Sequence, residues 1–282
     1  MVKIISDSTC DLSQELLEKY DISILPLHIL LGEKEYCDGV DITPDEIFQW
    51  SDAQKTTPKT SAPALDMAME MLKPFVKEKQ PVICFSISED MSTSANVMRM
   101  AASELEAEDL VTVIDSASLS TGIGLLVLHA AEMAQAGKTV EEIQTEIEEL
   151  KSKVRASFVV DTLVYLYRGG RCSGLAAMFG SALHLHPMIV VEEGKMHSSK
   201  KYRGKLSKVI LDYAKDLKEQ MEQARSERVF ITHSGCSPEV VEKVQSFLEE
   251  LHIFDEILIT RAGGVISSHC GPGTLGVLFI EK

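Results

Sequence analysis

The sequence lacks the short motifs that mark several large functional classes. Its six cysteines include no Cys-x-x-Cys pair, so the spacing of a structural zinc site is missing, and a disulfide framework is not expected in 282 residues. There is no Gly-x-Ser-x-Gly elbow and no Walker-type phosphate loop. The most apolar run, residues 22–31, is too short to cross a bilayer and contains Pro26 and His28.

Positive charge is also scarce. The chain has 28 Lys and Arg residues against 43 Asp and Glu residues, a formal net charge of −15. Nucleic acids and anionic membrane surfaces both attract basic proteins, so neither is an expected partner, and stable membrane insertion is not expected. No signal peptide precedes the first predicted strand, at Val2–Ile5, and we therefore expect a cytoplasmic protein.

The order of elements predicts an α/β protein with two domains. Strand and helix patterns alternate over residues 1–155, which predicts a doubly wound, mainly parallel sheet with an extended arm at about 22–40. Residues 156–282 are predicted to form an α+β domain with a mixed or antiparallel sheet, because Gly194 and residues 271–273 resemble tight turns between strands. Capping boxes begin at Thr43 and Thr139, and a further helix is predicted from Asp11.

Hydroxyl-rich runs follow four stretches that resemble strands. They are residues 6–9, 86–94, 115–118 and 267–273. The carboxyl ends of parallel strands converge on one edge of a sheet, where ligands bind. Hydroxyls and backbone N–H groups gathered there suit a small oxyanion, either a carboxylate or a phosphate. Ser and Thr in these positions also cap helices, so the pattern alone leaves both interpretations open.

Three further features are candidates for function. His269 can exchange a proton near neutral pH and can donate to an anion, whereas a free buried cysteine such as Cys270 is more often a small apolar residue. The sequence Arg-Gly-Gly-Arg at 168–171 indicates either a phosphate site or a helix end with two solvated arginines. Helical segments 121–125 and 174–180 have slim sides, which predicts either close packing or a tunnel.

Several motifs in one order give the chain a more specific resemblance. It resembles the DegV family, whose members include the fatty-acid-binding subunits of bacterial fatty acid kinase. That family implies two α/β domains with a fatty acid between them. The motifs that carry the resemblance across the chain are Asp7-Ser8-Thr9-Cys10-Asp11-Leu12, Thr60-Ser61-Ala62-Pro63, Val113-Ile114-Asp115-Ser116, Leu163 to Arg171, and His269-Cys270-Gly271-Pro272-Gly273.

The resemblance also implies which residues form the site. Thr60, Ser92 and His269 are expected to hold the carboxylate, with Ser61 and Thr93 beside them. The expected residues facing phosphate or the partner are Arg168 and Arg171, and the acyl-tunnel candidates are Ile123, Leu163, Met178 and Phe179. Departures from the family pattern are Thr93, where glycine is usual, Ala64, where serine is frequent, and Cys270, where a hydroxyl residue is common.

The function implied by the resemblance is that of a carrier. The chain is expected to bind a long-chain fatty acid and to present it to an ATP-dependent kinase, with the acyl-phosphate passing to an acyltransferase of phospholipid synthesis. The carrier itself would have no catalytic residue, metal or cofactor. Two alternatives stay open: a hydrolase that uses Ser92 or Cys270 with His269, and a sensor of a phosphorylated metabolite.

Overall fold

The first part of the chain contains a four-stranded parallel sheet. A computed structural model describes residues 1–173 and 185–282. The strands are ordered β2-β1-β6-β7, and every residue of β1 and β6 is buried, as expected for a parallel sheet covered on both faces. The strands are β1 Lys3–Asp7, β2 Ile22–Leu25, β6 Val82–Ser86 and β7 Val111–Asp115.

Helices cover both faces of this sheet. On one face Leu72 of α3 and Met98 of α4 pack against Ile5, and on the other Ile123 of α5 belongs to a core that includes Ile4. The fold is therefore the doubly wound α/β arrangement that the sequence predicts. The helices of this part are α1 Gln14–Lys19, α2 Pro44–Gln54, α3 Leu65–Lys77, α4 Ser94–Glu104, α5 Thr121–Gln135 and α6 Val140–Lys151.

A small antiparallel sheet lies within the same part of the chain. Its order is β4-β3-β5, with β3 His28–Leu31, β4 Lys34–Cys37 and β5 Lys59–Ser61. The segment expected to form an extended arm at 22–40 is therefore divided: residues 22–25 pair with β1 in the parallel sheet, and residues 28–37 form a hairpin. The hairpin positions β5, which carries Thr60.

The second part of the chain contains a seven-stranded mixed sheet, as predicted. Its order is β13-β12-β14-β8-β10-β11-β9, in which β12–β13 and β11–β9 are parallel and the other pairs antiparallel. The strands are β8 Val154–Val159, β9 Cys172–Ser173, β10 Leu185–Glu192, β11 Lys195–Arg203, β12 Arg228–Ser234, β13 Glu256–Arg261 and β14 Thr274–Ile280. The helices are α7 Val164–Gly169, α8 Leu206–Asp216, α9 Lys218–Met221, α10 Pro238–Leu251 and α11 Gly264–Cys270.

One hydrophobic cluster joins the two sheets through α5. It includes Ile4 and Phe85 of the parallel sheet and Phe158 and Phe230 of the mixed sheet. At Gly124 an added Cβ would lie 2.9 Å from the carbonyl oxygen of Cys10, so the slim side of α5 serves close packing. The chain changes sheet between β7 and β8, and the domain boundary near residue 155 stays a prediction.

Two local predictions are wrong, and both errors concern the site. Residues 264–270 form helix α11, whereas their pattern suggests a strand; six of the seven residues are buried, so the segment has no helical periodicity to recognise. Asp11 does not begin a helix: it has a left-handed backbone, and α1 is capped by Ser13 instead. Both capping boxes, at Thr43 and Thr139, are confirmed.

Within residues 1–173 and 185–282, no helix combines the length and apolar character that a membrane span requires. Of the two slim helical segments predicted, the one at residues 174–180 lies outside the described residues.

Candidate functional site

A cavity of about 470 Å³ lies where the loops after β6 and β5 meet helix α11. Its volume is within the range of small-molecule sites. Its lining combines hydroxyl-bearing, apolar and charged side chains. The residues that line it are Leu27, Thr60, Ser61, Ala62, Ile87, Glu89, Asp90, Met91, Ser92, Thr93, Leu119, Arg171, Met196, Val265, Ile266, His269 and Cys270.

Thr60 and His269 form a polar pair in the cavity wall. Thr60 lies in β5, opposite Ile29 of β3, and His269 lies near the end of α11. Thr60 Oγ1 and His269 Nε2 share a hydrogen bond of 2.7 Å. Two residues that the sequence separates by 209 positions therefore meet at the cavity wall.

The imidazole of His269 is held in a tight space. Burial is the main cause that lowers the pKa of His269 to about 4, and the nearby positive charge of Arg171 lowers the pKa further. The ring is therefore neutral at neutral pH and offers a single N–H. Its Nδ1 atom has no hydrogen-bond partner among the described residues, and the backbone of Gly169 lies so close that a Cβ there would overlap this atom.

Ser92 and Thr93 line the cavity beside the start of α4. The loop before them turns tightly, because the backbone N–H groups of Met91 and Ser92 both donate to the carbonyl oxygen of Ser88. Thr93 is the N-cap of α4 but makes no side-chain cap hydrogen bond, so its hydroxyl is not committed to the helix. The partial positive charge of a helix start adds to the attraction that these hydroxyls offer an anion.

Arg171 borders the cavity, whereas Arg168 does not line it. Helix α7 ends at Gly169, and Gly170 adopts the left-handed conformation that ends many helices. Arg171 then returns across this end: its Nη1 donates to the carbonyl oxygen of Gly169 at 2.6 Å, and its Nε lies 3.5 Å from the carbonyl oxygen of Met91. The Arg-Gly-Gly-Arg sequence is thus both a helix end and one edge of the cavity.

Part of the cavity lining is shared with a second cavity next to the mixed sheet. Leu119, Ile266 and Cys270 also line this second cavity of only about 20 Å³, which reaches Phe158 and Leu278. The two cavities therefore adjoin each other at these three shared side chains. Of the predicted tunnel residues, Ile123 is fully buried in the core and Leu163 is half-buried against it, and neither lines the first cavity. Met178 and Phe179 lie outside the described residues.

Some lining residues have no counterpart in the sequence prediction. Leu27 lies between β2 and β3 and Met196 lies in β11, and only the tertiary structure brings them to one cavity. Leu27 lies in the apolar run that the sequence shows at 22–31, which is the one signal that could have indicated it. The sequence pattern also gives no indication that Asp11 and Asp38 bind the start of α11.

The arrangement does not resemble that of a nucleophilic enzyme. Cys270 is buried, and burial raises the pKa of its thiol, which disfavours the thiolate that a nucleophile needs. His269 bonds Thr60 through Nε2, and no carboxylate among the described residues orients its Nδ1 atom. Across residues 1–173 and 185–282, no cluster of three His, Cys, Asp or Glu side chains is arranged to hold a metal ion.

A family model and individual proteins of known sequence relate this chain to the same family. The model of the DegV family, which is described as a family of uncharacterised proteins, matches residues 1–282. A DegV domain-containing protein of Clostridium perfringens is 32% identical over 283 residues, covering 100% of this chain and 99% of that protein.

Several solved structures of similar proteins are described as structures of fatty-acid-binding proteins. A DegV family protein from Thermus thermophilus, described by its fatty acid binding, has a TM-score of 0.90 at 30% identity. A stearic-acid-binding protein from Eubacterium ventriosum has a TM-score of 0.87 at 32% identity, and DegV of Bacillus subtilis, described as a fatty acid binding protein, has 0.86 at 26%. Each comparison covers 100% of this chain and 99% of the other.

Proposed function

Because the chain belongs to the DegV family, we propose that it binds a long-chain fatty acid in the 470 Å³ cavity. The observation that carries the proposal is that this cavity is lined both by polar side chains, centred on the Thr60–His269 hydrogen bond, and by apolar side chains such as Leu27 and Ile266. A fatty acid likewise has a polar and an apolar part. The cavity is also lined by residues from both parts of the chain, among them Thr60 and Met196.

The carboxylate is assigned to the polar side chains. A carboxylate removed from water needs hydrogen-bond donors, and hydroxyls with one neutral imidazole supply them without an opposing buried charge. Thr60, Ser92 and His269 are the principal ligands in this proposal, with Ser61 and Thr93 beside them. All five line the same cavity.

The acyl chain supplies most of the affinity. About fifteen methylenes at roughly 0.8 kcal/mol each give a burial free energy on the order of 10 kcal/mol. Association takes back roughly 4 kcal/mol or more, so the polar side chains mainly set the orientation of the acid. Leu27, Ile87, Met91 and Ile266 are the side chains that the chain contacts first in this proposal.

We further propose that the bound acid is a substrate for a partner. In this role the chain is the non-catalytic, cytoplasmic subunit of a fatty acid kinase: the partner supplies ATP, and the acyl-phosphate then passes to an acyltransferase of phospholipid synthesis. Arg171, at the edge of the cavity, and Arg168, which is exposed nearby, are placed to receive the phosphate or the partner. The family motifs support this assignment.

The first experiment tests the ligand. The protein is purified, its lipids are extracted and identified by mass spectrometry, and palmitate is titrated into the delipidated protein by calorimetry. We expect a co-purified long-chain acid and, for Thr60→Val and His269→Ala, affinities lower by about tenfold, since each removes a hydrogen bond to a charged group. His197→Gln is the control, because His197 is a half-exposed residue of β11 that does not line this cavity.

The second experiment tests the kinase role. The loaded protein is incubated with an ATP-dependent fatty acid kinase, and acyl-phosphate is trapped with hydroxylamine. Arg171→Gln and His269→Ala are expected to lower acyl-phosphate formation more than they lower retention of the acid. If the protein retains palmitate but no such kinase yields acyl-phosphate, the chain is a fatty-acid-binding protein and the kinase assignment is wrong.

A further inference from the structure

Helix α11 has no capping side chain of its own. Its N-cap is Gly263, and the hydrogen bonds to its start come from the distant N-terminal part of the chain. The N–H of Gly263 donates to Asp11 Oδ1 at 2.8 Å, and the N–H of Gly264 donates to Asp38 Oδ1 at 2.7 Å. Two carboxyl groups more than two hundred positions away therefore replace the usual local cap.

Each carboxyl group is fixed at its second oxygen as well. Ser120 Oγ donates to Asp11 Oδ2 at 2.5 Å, and Ser8 Oγ donates to Asp38 Oδ2 at 2.8 Å. The Ser8 hydroxyl also accepts from the N–H of Leu27, which lines the cavity. Both carboxyl groups thus have one oxygen on the helix and one on a serine, so neither can rotate without losing a hydrogen bond.

The burial of these groups is unfavourable in itself. Asp11 is 6% exposed and Asp38 is 2% exposed. Burial is the main cause that raises the pKa of Asp11 to about 8, and it raises the pKa of Asp38 as well. A helix start can be capped by a single local Ser or Asn, so two buried carboxyl groups are more than a cap requires.

Close packing makes the start of α11 a rigid support. A Cβ at Gly264 would lie 2.6 Å from Ile29 Cδ1 and 2.8 Å from Asp38 Oδ1, so the backbone rests directly on β3 and on the carboxyl group. Strand β3 pairs with β5, which carries Thr60. The same small sheet therefore supports one partner of the Thr60–His269 bond and positions the helix that carries the other.

His269 is only five residues after Gly264. In a helix this is a rise of about 7.5 Å, so a tilt or shift of the first turn is transmitted directly to the imidazole. A hydrogen bond of 2.7 Å tolerates displacements of only a few tenths of an ångström before it weakens. The position of His269 thus depends on what holds the start of its helix.

We propose that Asp11 and Asp38 are positioning residues for recognition of the ligand carboxylate. By binding the first turn of α11 they set His269 against Thr60, and so determine how well the cavity distinguishes a carboxylate from a neutral head group of the same chain length. This inference rests on the proposed function, because it assumes that the head group binds at the Thr60–His269 pair.

The test compares two ligands that differ in the head group alone. Palmitate and 1-hexadecanol compete with a fluorescent fatty acid for the delipidated protein, and the ratio of their affinities is measured. We expect Asp11→Ala and Asp38→Ala to lower this ratio by about fivefold to tenfold, through weaker palmitate binding, and the Asn variants to restore most of it, since Asn still accepts from the helix N–H. The assigned ring resonances of His269 should shift in the Ala variants.

Tyr213→Phe is the matched control for lost stability. Its buried hydroxyl donates to the carbonyl oxygen of Ser157 and accepts from the N–H of Val277, away from the cavity, so its loss should lower stability and leave the affinity ratio unchanged. Ser8→Ala and Ser120→Ala are milder variants for the case in which an Asp→Ala protein does not fold. Each removes one hydroxyl donor, and each should lower the ratio about twofold to threefold and move the His269 resonances.

The outcomes separate this inference from the proposed function. If His269→Ala has the wild-type affinity ratio, the head group binds elsewhere and the proposed function is wrong, whereas the resonances of His269 in the Asp variants still report on positioning. If His269→Ala loses the ratio but folded Asp11→Ala and Asp38→Ala keep both the ratio and the wild-type ring resonances, the two aspartates are structural only and the inference is overturned.

Discussion

The absence of a side chain at Gly169 makes room for the imidazole of His269. A Cβ at position 169 would overlap the Nδ1 atom, and the same imidazole bonds Thr60 through its other nitrogen. The last residue of α7 and the sixth residue of α11 therefore fit against each other at the cavity wall. A side chain added at position 169 is therefore the simplest way to displace the imidazole without removing it.

Gly169→Ala should displace His269 and weaken palmitate binding. Because the helical position accepts Ala, the main effect is steric, and we expect affinity to fall by about tenfold, the value of one charge-assisted hydrogen bond. The measurement is calorimetric titration of palmitate into a double-mutant cycle with His269→Ala. The substitution should have almost no effect when His269 is already absent. An equal loss in both backgrounds would mean that Ala acts on α7 itself.

Arg171→Gln should raise the pKa of His269. The positive charge of Arg171 is the second cause of the low pKa, and burial is the first, so the pKa should rise from about 4 but stay below its ordinary value of 6.5. The measurement is an NMR titration of the His269 ring. Arg168→Gln is the matched control, because Arg168 is exposed and does not line the cavity. Equal pKa values in all three proteins would contradict the assigned role of Arg171.

His269 should make the protein less stable in acid. The folded-state pKa of about 4 lies below the unfolded value of 6.5, so between these values the unfolded chain binds a proton that the folded protein does not. The resulting stability is present above pH 6.5 and is lost as the pH falls to about 4, at most about 3 kcal/mol. Urea unfolding at pH 7 and pH 4.5 should show a larger loss for the wild type than for His269→Gln.

Asp11 should have the opposite pH dependence. Its folded-state pKa, raised to about 8 mainly by burial, exceeds the ordinary value of 3.8, so folding favours the protonated form. This contribution is present below about pH 4 and is lost as the pH rises to about 8. Relative to the wild type, Asp11→Asn should therefore gain stability between pH 5 and pH 8. Asp109→Asn, on an exposed turn, is the control for the loss of one carboxyl group.

Ile266→Ala should join the two cavities. Ile266 is one of the three side chains that line both the 470 Å³ cavity and the smaller one. We expect the preferred acid to lengthen by about two methylenes and the free energy of unfolding to fall by about 2–5 kcal/mol. Affinities for a series of saturated acids measure the first effect. Ile143→Ala, at a buried position of α6 that does not line either cavity, should cost similar stability without changing the preferred length.

The local patterns of the sequence determined the elements whose signals are local. Buried parallel strands, two capping boxes and the antiparallel return at Gly194 were all predictable, because each depends on residues within a few positions. The ordered motifs were enough to indicate the family. They also placed hydroxyls at the ends of strands β1, β6 and β7, since chain order and the parallel arrangement bring those ends to one edge.

The tertiary structure alone decided how the site is assembled. Helix α11 is buried on nearly every side and is capped by Asp11 and Asp38, so neither an amphipathic period nor a local cap is present in its sequence. For the same reason, no spacing along the chain predicts that Thr60 contacts His269. Contacts between distant residues depend on how the two sheets pack across α5, and that packing is a property of the whole fold.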